Sequence, residues 1–295
     1  MSWIFYVLTA NGLFAASSIF DKFFNSKRIK SVYVYSVVLN LIYFGFFAAT
    51  AYVIKDTFVI NKSFYWAILA GCIYFFMWLI FWTALKTVEV SRASALFFTQ
   101  PVFNALLAIW FLNETLSPSK WMAIGLIVAG AILSSWEKKK TTGFNKGYLL
   151  VIAAAIFSAL GNTIAKHAMS GLPSLTVNTI GFFGSVPLYF ILLAQKGVFN
   201  EVKTTLGDSA TMKKFFLRGL IGYTAICAFM LGVGAGPISL VVALSGTQPL
   251  FTLIFSLAAG FFLSKMIKED TARSAVITKT VAIVLIVIGA IIISF

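Results

Sequence analysis

Two glutamine–proline pairs stand in the middle of long apolar runs. Gln100 precedes Pro101, and Gln248 precedes Pro249. A proline inside a helix removes one backbone hydrogen bond and clashes with the carbonyl group four residues earlier. An amide side chain in an apolar medium is costly unless it has a partner. The pairs therefore predict helix kinks at Pro101 and Pro249, with both glutamines facing either a polar cavity or a neighbouring helix.

Further polar and aromatic side chains inside such runs are candidates for binding a small solute. Tyr74, Trp78 and Trp82 recur at four-residue spacing, so they share one face of a helix. That face suits an aromatic cavity wall, although lipid contact or interfacial anchoring is the ordinary role of Trp and Tyr in membrane helices. The polar candidates, for which helix packing is the alternative role, are Asn11, Asn162, Tyr223 and Thr252.

Two lysines, Lys22 and Lys166, lie near the ends of their runs at matching places in the two halves of the chain. A long cation there can extend to the membrane surface, or the pair can act as gates or as contacts for an anionic group. All nine acidic residues lie in loops or near the ends of runs, whereas proton-driven pumps often carry a carboxylate deep in the membrane. This distribution favours a neutral or zwitterionic solute.

The residues needed for catalysis or metal binding are not clustered in the sequence. Chemistry on a lipid or prenyl substrate would need paired aspartates or a histidine with a carboxylate partner. His167 is the only histidine, and a metal site needs several converging ligands. We therefore expect no enzyme activity, no metal and no cofactor.

The composition identifies the medium in which these residues act. Hydrophobic residues make up 60% of the 295 residues and charged residues 11%, whereas soluble domains contain roughly 25% charged residues. A spanning helix needs about 20 mostly apolar residues. The sequence predicts an all-α membrane protein with about ten transmembrane helices, near residues 3–20, 32–54, 64–85, 93–112, 120–136, 147–168, 174–194, 214–234, 238–264 and 275–294.

The chain contains an internal repeat. Three stretches recur in the same order: residues 15–22 match 159–166, residues 99–101 match 247–249, and residues 126–135 match 285–294. Each unit has five spans, an odd number, so the second unit enters the membrane from the opposite face, as in many secondary transporters. The predicted organisation is two inverted five-helix repeats, residues 1–140 and 141–295.

The basic residues support this inversion. Of the 23 lysines and arginines, 19 lie in or near odd-numbered connections between the predicted spans and 4 in or near even-numbered ones. Short basic loops stay on the cytoplasmic side, so both termini are expected outside. The scatter of charges over short loops, without a nucleic-acid-binding motif, also argues against a nucleic-acid partner despite the net charge of +14.

Several motifs together suggest a family. Residues 84–96 read ALKTVEVSRASAL, residues 100–103 read QPVF and residues 111–116 read FLNETL, and Lys22 and Lys166 stand late in the first span of each half. These features resemble the ten-helix EamA-type carriers of the drug/metabolite transporter superfamily. Residues 262–265 (FLSK) depart from the Phe-Leu-Gly-Glu ending of that family, so a role of Glu114 is not duplicated in the second half.

The resemblance implies a monomeric carrier, multi-pass in the inner cell membrane, with a central cavity between the halves. We expect a secondary transporter that exports small metabolites such as amino acids by alternating access around that cavity. Its partners would be a small-molecule solute and the lipid bilayer. A channel is the main alternative, although neither a charged ring nor a repeated filter sequence is evident. A membrane-embedded lipid- or prenyl-modifying enzyme is a weaker alternative.

The predicted orientation can be tested by cysteine labelling in a background in which Cys72 and Cys227 are replaced by serine. Ser2→Cys should react with a membrane-impermeant maleimide in intact cells, because the N-terminus is expected outside. Lys139→Cys, in a basic connection, is the matched control and should react only after permeabilisation. Labelling of Ser2→Cys only in permeabilised cells would invert the predicted topology.

Overall fold

The computed structural model describes residues 2–27, 31–84, 87–88, 93, 96–135, 146–248, 250–252, 254–255 and 273–294, with the side chains of 2, 19–27, 134–135, 273–280 and 294 excepted. Every regular element in these ranges is helical. The helices are α1 (Ser2–Lys27), α2 (Val32–Val53), α3 (Lys62–Ala84), α4 (Gln100–Leu112), α5 (Pro118–Ser135), α6 (Lys146–Ala168), α7 (Ser174–Leu193), α8 (Val198–Gly207), α9 (Ser209–Ala235), α10 (Ile238–Ser245) and α11 (Arg273–Ser294).

Each of the ten predicted spans overlaps one of these helices. Five helices in the described part of the chain, α2, α3, α6, α7 and α9, are long and apolar enough to cross a membrane by length and composition. Shorter apolar stretches lie in α4, α5, α10 and α11. The all-helical, membrane character of the fold is therefore as the sequence predicts.

The fourth and ninth predicted spans are interrupted where the glutamine–proline pairs occur. In the first half a turn at Phe98 and Thr99 precedes α4, and Pro101 lies in the first turn of that helix. A proline is well tolerated there, because its missing N–H would have no partner inside the helix. In the second half α10 ends at Ser245 and a turn at Gly246 and Thr247 follows. Pro249 lies outside the described residues.

Helix α8 is not among the predicted spans. It has ten residues and buries only Val198 and Val202, which pack on the cluster of apolar side chains around α2. The helix is too short to span a bilayer, so a search for long apolar runs misses it. Asp208 then caps α9 by accepting hydrogen bonds from the N–H groups of Ala210 (3.1 Å) and Thr211 (3.2 Å).

The helices of the two halves pack mainly against each other. Helix α1 lies along α9, and α3 lies along α6; α3 also contacts α7, as α2 contacts α9. The pairs α4 with α6 and α1 with α10 are also in contact, and α2 packs on α7, α4 on α10 and α5 on α11. In the predicted repeat, helices α1 to α5 correspond to α6, α7, α9, α10 and α11, in that order. When each helix is replaced by its counterpart, every pair named here becomes another pair named here or remains the same pair.

Several of the loops that connect helices contact each other at one end of the bundle. Thr57 Oγ1 and Thr176 Oγ1 are 2.6 Å apart, and Asn61 Nδ2 donates to the carbonyl of Gly171 (3.3 Å). At the same end the Lys120 ammonium donates to the last carbonyl groups of α11, those of Ile292 (3.1 Å) and Ile293 (3.0 Å). A cation at a helix C-terminus is favourable because of the helix dipole.

Helices α3 and α7 approach most closely at a pair of glycines. A Cβ atom on Gly71 would clash with the backbone of Gly181, whose Cα would be 2.7 Å away, and a Cβ on Gly181 would lie 2.9 Å from the carbonyl oxygen of Ala67. Small residues at such crossings allow close packing between membrane helices. The α3–α7 contact therefore depends on the absence of side chains at residues 71 and 181.

We expect Gly71→Val to destabilise the protein by about 1–3 kcal/mol, as overpacking does, and to lower the midpoint of thermal unfolding in detergent. Gly45→Val in α2 is the matched control, because a Cβ at Gly45 meets nothing within 4 Å. Equal unfolding midpoints for the two variants would contradict this account of the α3–α7 crossing.

Candidate functional site

The connection between α9 and α10 is only two residues long, Gly236 and Pro237. The last four carbonyl groups of a helix and its first four N–H groups have no partner inside the helix. Here the end of one helix and the beginning of the next are almost adjacent, so unpaired acceptors and unpaired donors lie side by side. Two charged side chains form hydrogen bonds with these backbone groups.

The Lys166 ammonium, near the end of α6, forms hydrogen bonds with the carbonyl groups at the C-terminus of α9. Its Nζ donates to the carbonyl oxygens of Val233 (2.6 Å), Gly234 (3.3 Å) and Gly236 (2.9 Å). Hydrogen bonds with a charged donor are roughly twice as strong as neutral ones, and a cation suits the negative pole of the α9 dipole.

The Glu114 carboxylate, just beyond α4, accepts hydrogen bonds from the N–H groups at the N-terminus of α10. Its Oε1 accepts from the N–H of Ile238 (2.7 Å), and its Oε2 accepts from the N–H (3.2 Å) and the hydroxyl (2.5 Å) of Ser239. An anion suits the positive pole of a helix. Glu114 belongs to the first half of the chain and α10 to the second, so this contact joins the halves.

Asn113 gives Glu114 its position. It ends α4 in the left-handed conformation, with φ 53°, and the N–H groups of Asn113 and Glu114 both donate to the carbonyl of Ala108. Asparagine adopts this conformation more readily than most residues. The reversal of the chain at Asn113 brings the next residue onto the start of α10.

We call Lys166, Glu114 and residues 233–239 the clamp. Two clefts border it, of about 310 and 510 Å³. The smaller is lined by Leu112, Glu114, Lys166, His167, Met169, Ser170 and Gly234. The larger is lined by Tyr6, Met169, Leu172, Pro173, Ser174, Leu231, Gly234 and Ala235. The clamp ties α4 and α6 to the α9–α10 connection and holds this end of the bundle together.

Deeper in the bundle, Asn11 of α1 joins the interruption after α10. Asn11 is 1% exposed, and its Nδ2 donates to the carbonyl of Leu244 (3.0 Å) and to Thr247 Oγ1 (2.8 Å). Gln248 is the next residue, and its carbonyl accepts from the Thr252 hydroxyl (3.1 Å). Three of the sequence candidates thus lie at or next to the same helix interruption.

The corresponding interruption before α4 contains Gln100. Its carbonyl accepts from Asn104 Nδ2 (3.3 Å), and its side chain is partly exposed and makes no hydrogen bond within the described part of the chain. Asn104 is fully buried, and its Oδ1 has no hydrogen-bond partner there. Amide groups therefore stand beside both interruptions.

The aromatic candidates separate into two groups. Tyr74 donates to Asn162 Oδ1 (2.6 Å), which links α3 to α6. Trp82 and Tyr223 pack on the cluster of buried side chains between α2, α3, α7 and α9, and the Tyr223 hydroxyl also forms a hydrogen bond with that of Thr50. Trp78 stacks on Trp82 at 5.3 Å between ring centroids and is 40% exposed. The predicted single face of Tyr74, Trp78 and Trp82 is thus divided among an interhelical hydrogen bond, an exposed ring and packing.

The two lysines predicted as a pair cannot be compared. Lys166 lies in the clamp, whereas the side chain of Lys22 lies outside the described residues.

Arg218 is a polar residue that the sequence prediction missed, because it was counted among loop charges. It lies inside α9, is 8% exposed and donates to the hydroxyl of Tyr43 (2.5 Å). The eighth predicted span, residues 214–234, already contains residue 218, so a charge inside an apolar run was the signal that could have identified it.

We expect Glu114→Gln to weaken the clamp, because the neutral amide has one acceptor oxygen where the carboxylate has two. A lost hydrogen bond to a charged group costs roughly 1.5–3 kcal/mol, so thermal unfolding in detergent should begin at lower temperature. Glu201→Gln, at an exposed position of α8, is the matched control. A variant at Glu114 as stable as the one at Glu201 would show that the clamp does not contribute to stability.

Comparison with known proteins identifies relatives of this architecture. The model of the EamA-like transporter family matches residues 1–136 and 145–295. A solved crystal structure is similar over 99% of this chain and 96% of its own, with a TM-score of 0.75 at 16% identity, which shows a shared fold.

Curated relatives match over shorter stretches. The uncharacterized transporter YwfM of Bacillus subtilis is 32% identical over 81 residues, 28% of this chain and 26% of its own. The protein RarD of Salmonella typhi is 26% identical over 118 residues, 40% of this chain and 38% of its own. An uncharacterized transporter of a Sinorhizobium species is 27% identical over 135 residues, 45% of this chain and 95% of its own. The matched stretch thus spans about a quarter to two fifths of the first two relatives.

The apolar helices long enough to cross a membrane agree with the two ranges matched by the family model. The chain is a multi-pass membrane protein and belongs to the EamA-like transporter family.

Proposed function

We propose that the protein is a secondary transporter of small neutral or zwitterionic metabolites such as amino acids. It works as a monomer in the inner cell membrane and exports its solute by alternating access, with the solute bound between two inverted five-helix halves, residues 1–140 and 141–295. Helices α1, α3, α4, α6, α9 and α10 surround the site.

The pattern of helix pairs carries this proposal. Most of the pairs that join the two halves, including those with the most extensive contact, are converted into one another when the halves are exchanged, as expected for two related units around a pseudo-twofold axis. The two ranges matched by the family model, 1–136 and 145–295, have similar lengths. In transporters built from inverted repeats, solute sites lie at the repeat interface near the bilayer midplane.

The interrupted helices support the location of the site. The turns at residues 98–99 and 246–247 occupy equivalent places in the repeat. Irregular backbone at membrane depth is tolerated where it is buried in protein or lines a water-filled cavity. Gln100, Gln248, Asn11 and Asn162 supply amide groups around these turns, and such groups can pair with the amino and carboxyl groups of a solute.

The clamp supplies one of the two gates in this proposal. It closes the end of the bundle that holds the α9–α10 connection, which the loop charges predict to face outside. Opening this end requires Glu114 to leave α10 or Lys166 to leave α9. Alternating access then consists of the halves rocking about the central site while the clamp forms and breaks.

The test is solute counterflow in liposomes that contain the purified protein. A thermal-shift screen of amino acids and related metabolites first provides a solute. A carrier should show saturable uptake stimulated by solute on the far side, whereas a channel shows no such stimulation. Gln100→Ala and Gln248→Ala should each reduce counterflow about tenfold or more, as expected when hydrogen-bonding partners of a bound solute are lost.

Gln195→Ala is the matched control for these variants, because Gln195 is exposed in the connection between α7 and α8. It should transport like the unmodified protein. Full transport and unchanged affinity in both the Gln100 and Gln248 variants would place the solute elsewhere, and uptake without counterflow would favour a channel.

A further inference from the structure

The end of α10 exposes backbone oxygens deep inside the protein. The N–H of Gly246 donates to the carbonyl of Ala243 (2.9 Å), and the N–H of Thr247 donates to that of Leu244 (3.0 Å). Both bonds span three residues, so the carbonyl of Val242 loses the donor that a continued α-helix would supply. The carbonyl of Ser245 has no donor at residue 249, because that residue is proline.

Asn11 adds a side-chain oxygen to this place. Its Nδ2 binds the carbonyl of Leu244 and Thr247 Oγ1. Its Oδ1 is buried and makes no hydrogen bond within the described part of the chain. A buried polar atom without a partner in a native protein calls for an explanation, such as a bound ion, a water molecule or a ligand.

The chemistry of this place favours a positively charged group. Its free valences are oxygen acceptors, among them the buried Oδ1 of Asn11. The Leu244 carbonyl and the Thr247 hydroxyl already converge on the Asn11 amide. Its nitrogen, not its oxygen, faces them in this structure. A 180° rotation of that amide exchanges the two atoms, which brings three oxygens together and moves the nitrogen to the place that the oxygen holds now. Unwound carbonyls and helix C-termini hold Na⁺ in several interrupted-helix transporters.

We propose that the interruption after α10 binds a positively charged group through Asn11, Leu244 and Thr247. The group is a Na⁺ ion or the ammonium group of the solute, which offer the same charge to the same oxygens. The ammonium source rests on the proposed transport function, whereas binding of Na⁺ does not depend on it.

The equivalent interruption before α4 lacks this arrangement. The Thr99 hydroxyl donates within its own segment, to the carbonyl of Leu96 (2.7 Å). The residue that corresponds to Asn11 in the repeat, 144 positions later, is Ala155. The cation site is therefore present in one half only, and Thr99 provides a matched control for Thr247.

The experiment measures the midpoint of thermal unfolding of the purified full-length protein in detergent. NaCl or ethylammonium chloride replaces choline chloride at constant ionic strength. A ligand that binds only the folded state raises this midpoint in a concentration-dependent way. We expect stabilisation of the unmodified protein and of Thr99→Val, and a half-saturating concentration about fivefold higher or more for Thr247→Val.

Asn11→Asp keeps the test decisive if Thr247→Val does not fold. A carboxylate at residue 11 adds negative charge to the same oxygen set, so the half-saturating concentration should fall about fivefold or more. Stabilisation by Na⁺ alone identifies an ion site, and stabilisation by ethylammonium alone identifies the position of the solute ammonium. The site is refuted if neither cation stabilises the unmodified protein, or if the folded Thr247 and Asn11 variants respond as it does. A buried water molecule would then be the hydrogen-bond partner of Asn11 Oδ1.

The outcome is separable from that of the counterflow assay. Absence of counterflow with an intact, Thr247-dependent response to Na⁺ would remove the transport proposal and keep the ion site. Counterflow without any cation response would keep transport and refute the site.

Discussion

The pairing of backbone polar groups at helix ends inside an apolar bundle is the constraint on which this structure depends. In lipid an unpaired N–H or C=O group costs several kcal/mol, and a break in a helix creates several such groups at once. Lys166 pairs the carbonyls at the end of α9, Glu114 pairs the N–H groups at the start of α10, and Lys120 pairs the carbonyls at the end of α11. Charged residues are thus placed where helices end.

The same constraint connects stability with movement. A helix end paired by a side chain from another helix can be released and paired again, whereas a continuous helix offers no such choice. Glu114 comes from the first half and α10 from the second, so the proposed alternating-access cycle has to break the bond between them. Asn11 makes the corresponding link deeper in the protein, from α1 to the end of α10. Its Oδ1, like that of Asn104 beside the other interruption, has no hydrogen-bond partner within the described part of the chain.

Much of the fold follows from the sequence, because each membrane helix is a local object. Twenty consecutive apolar residues predict a helix without knowledge of its neighbours, and all ten predicted spans overlap helices. Ends are predicted less well where a turn interrupts an apolar run, as before Gln100 and after Ser245, and the short helix α8 gives no long-run signal. The two inverted repeats remain a prediction, which the exchange of helix pairs supports.

The sequence by itself determined the membrane medium, the helical class, the family resemblance and the polar candidates, since these depend on composition and short motifs. Only the tertiary structure decided which candidates meet. It joined Tyr74 to Asn162, Asn11 to Thr247 and Glu114 to α10, and it placed Arg218 beside Tyr43. Partners separated by 88 to 236 residues share no local pattern, because the packing angle and register of the helices bring them together. A sequence shows which side chains need a partner, and the packed bundle selects it.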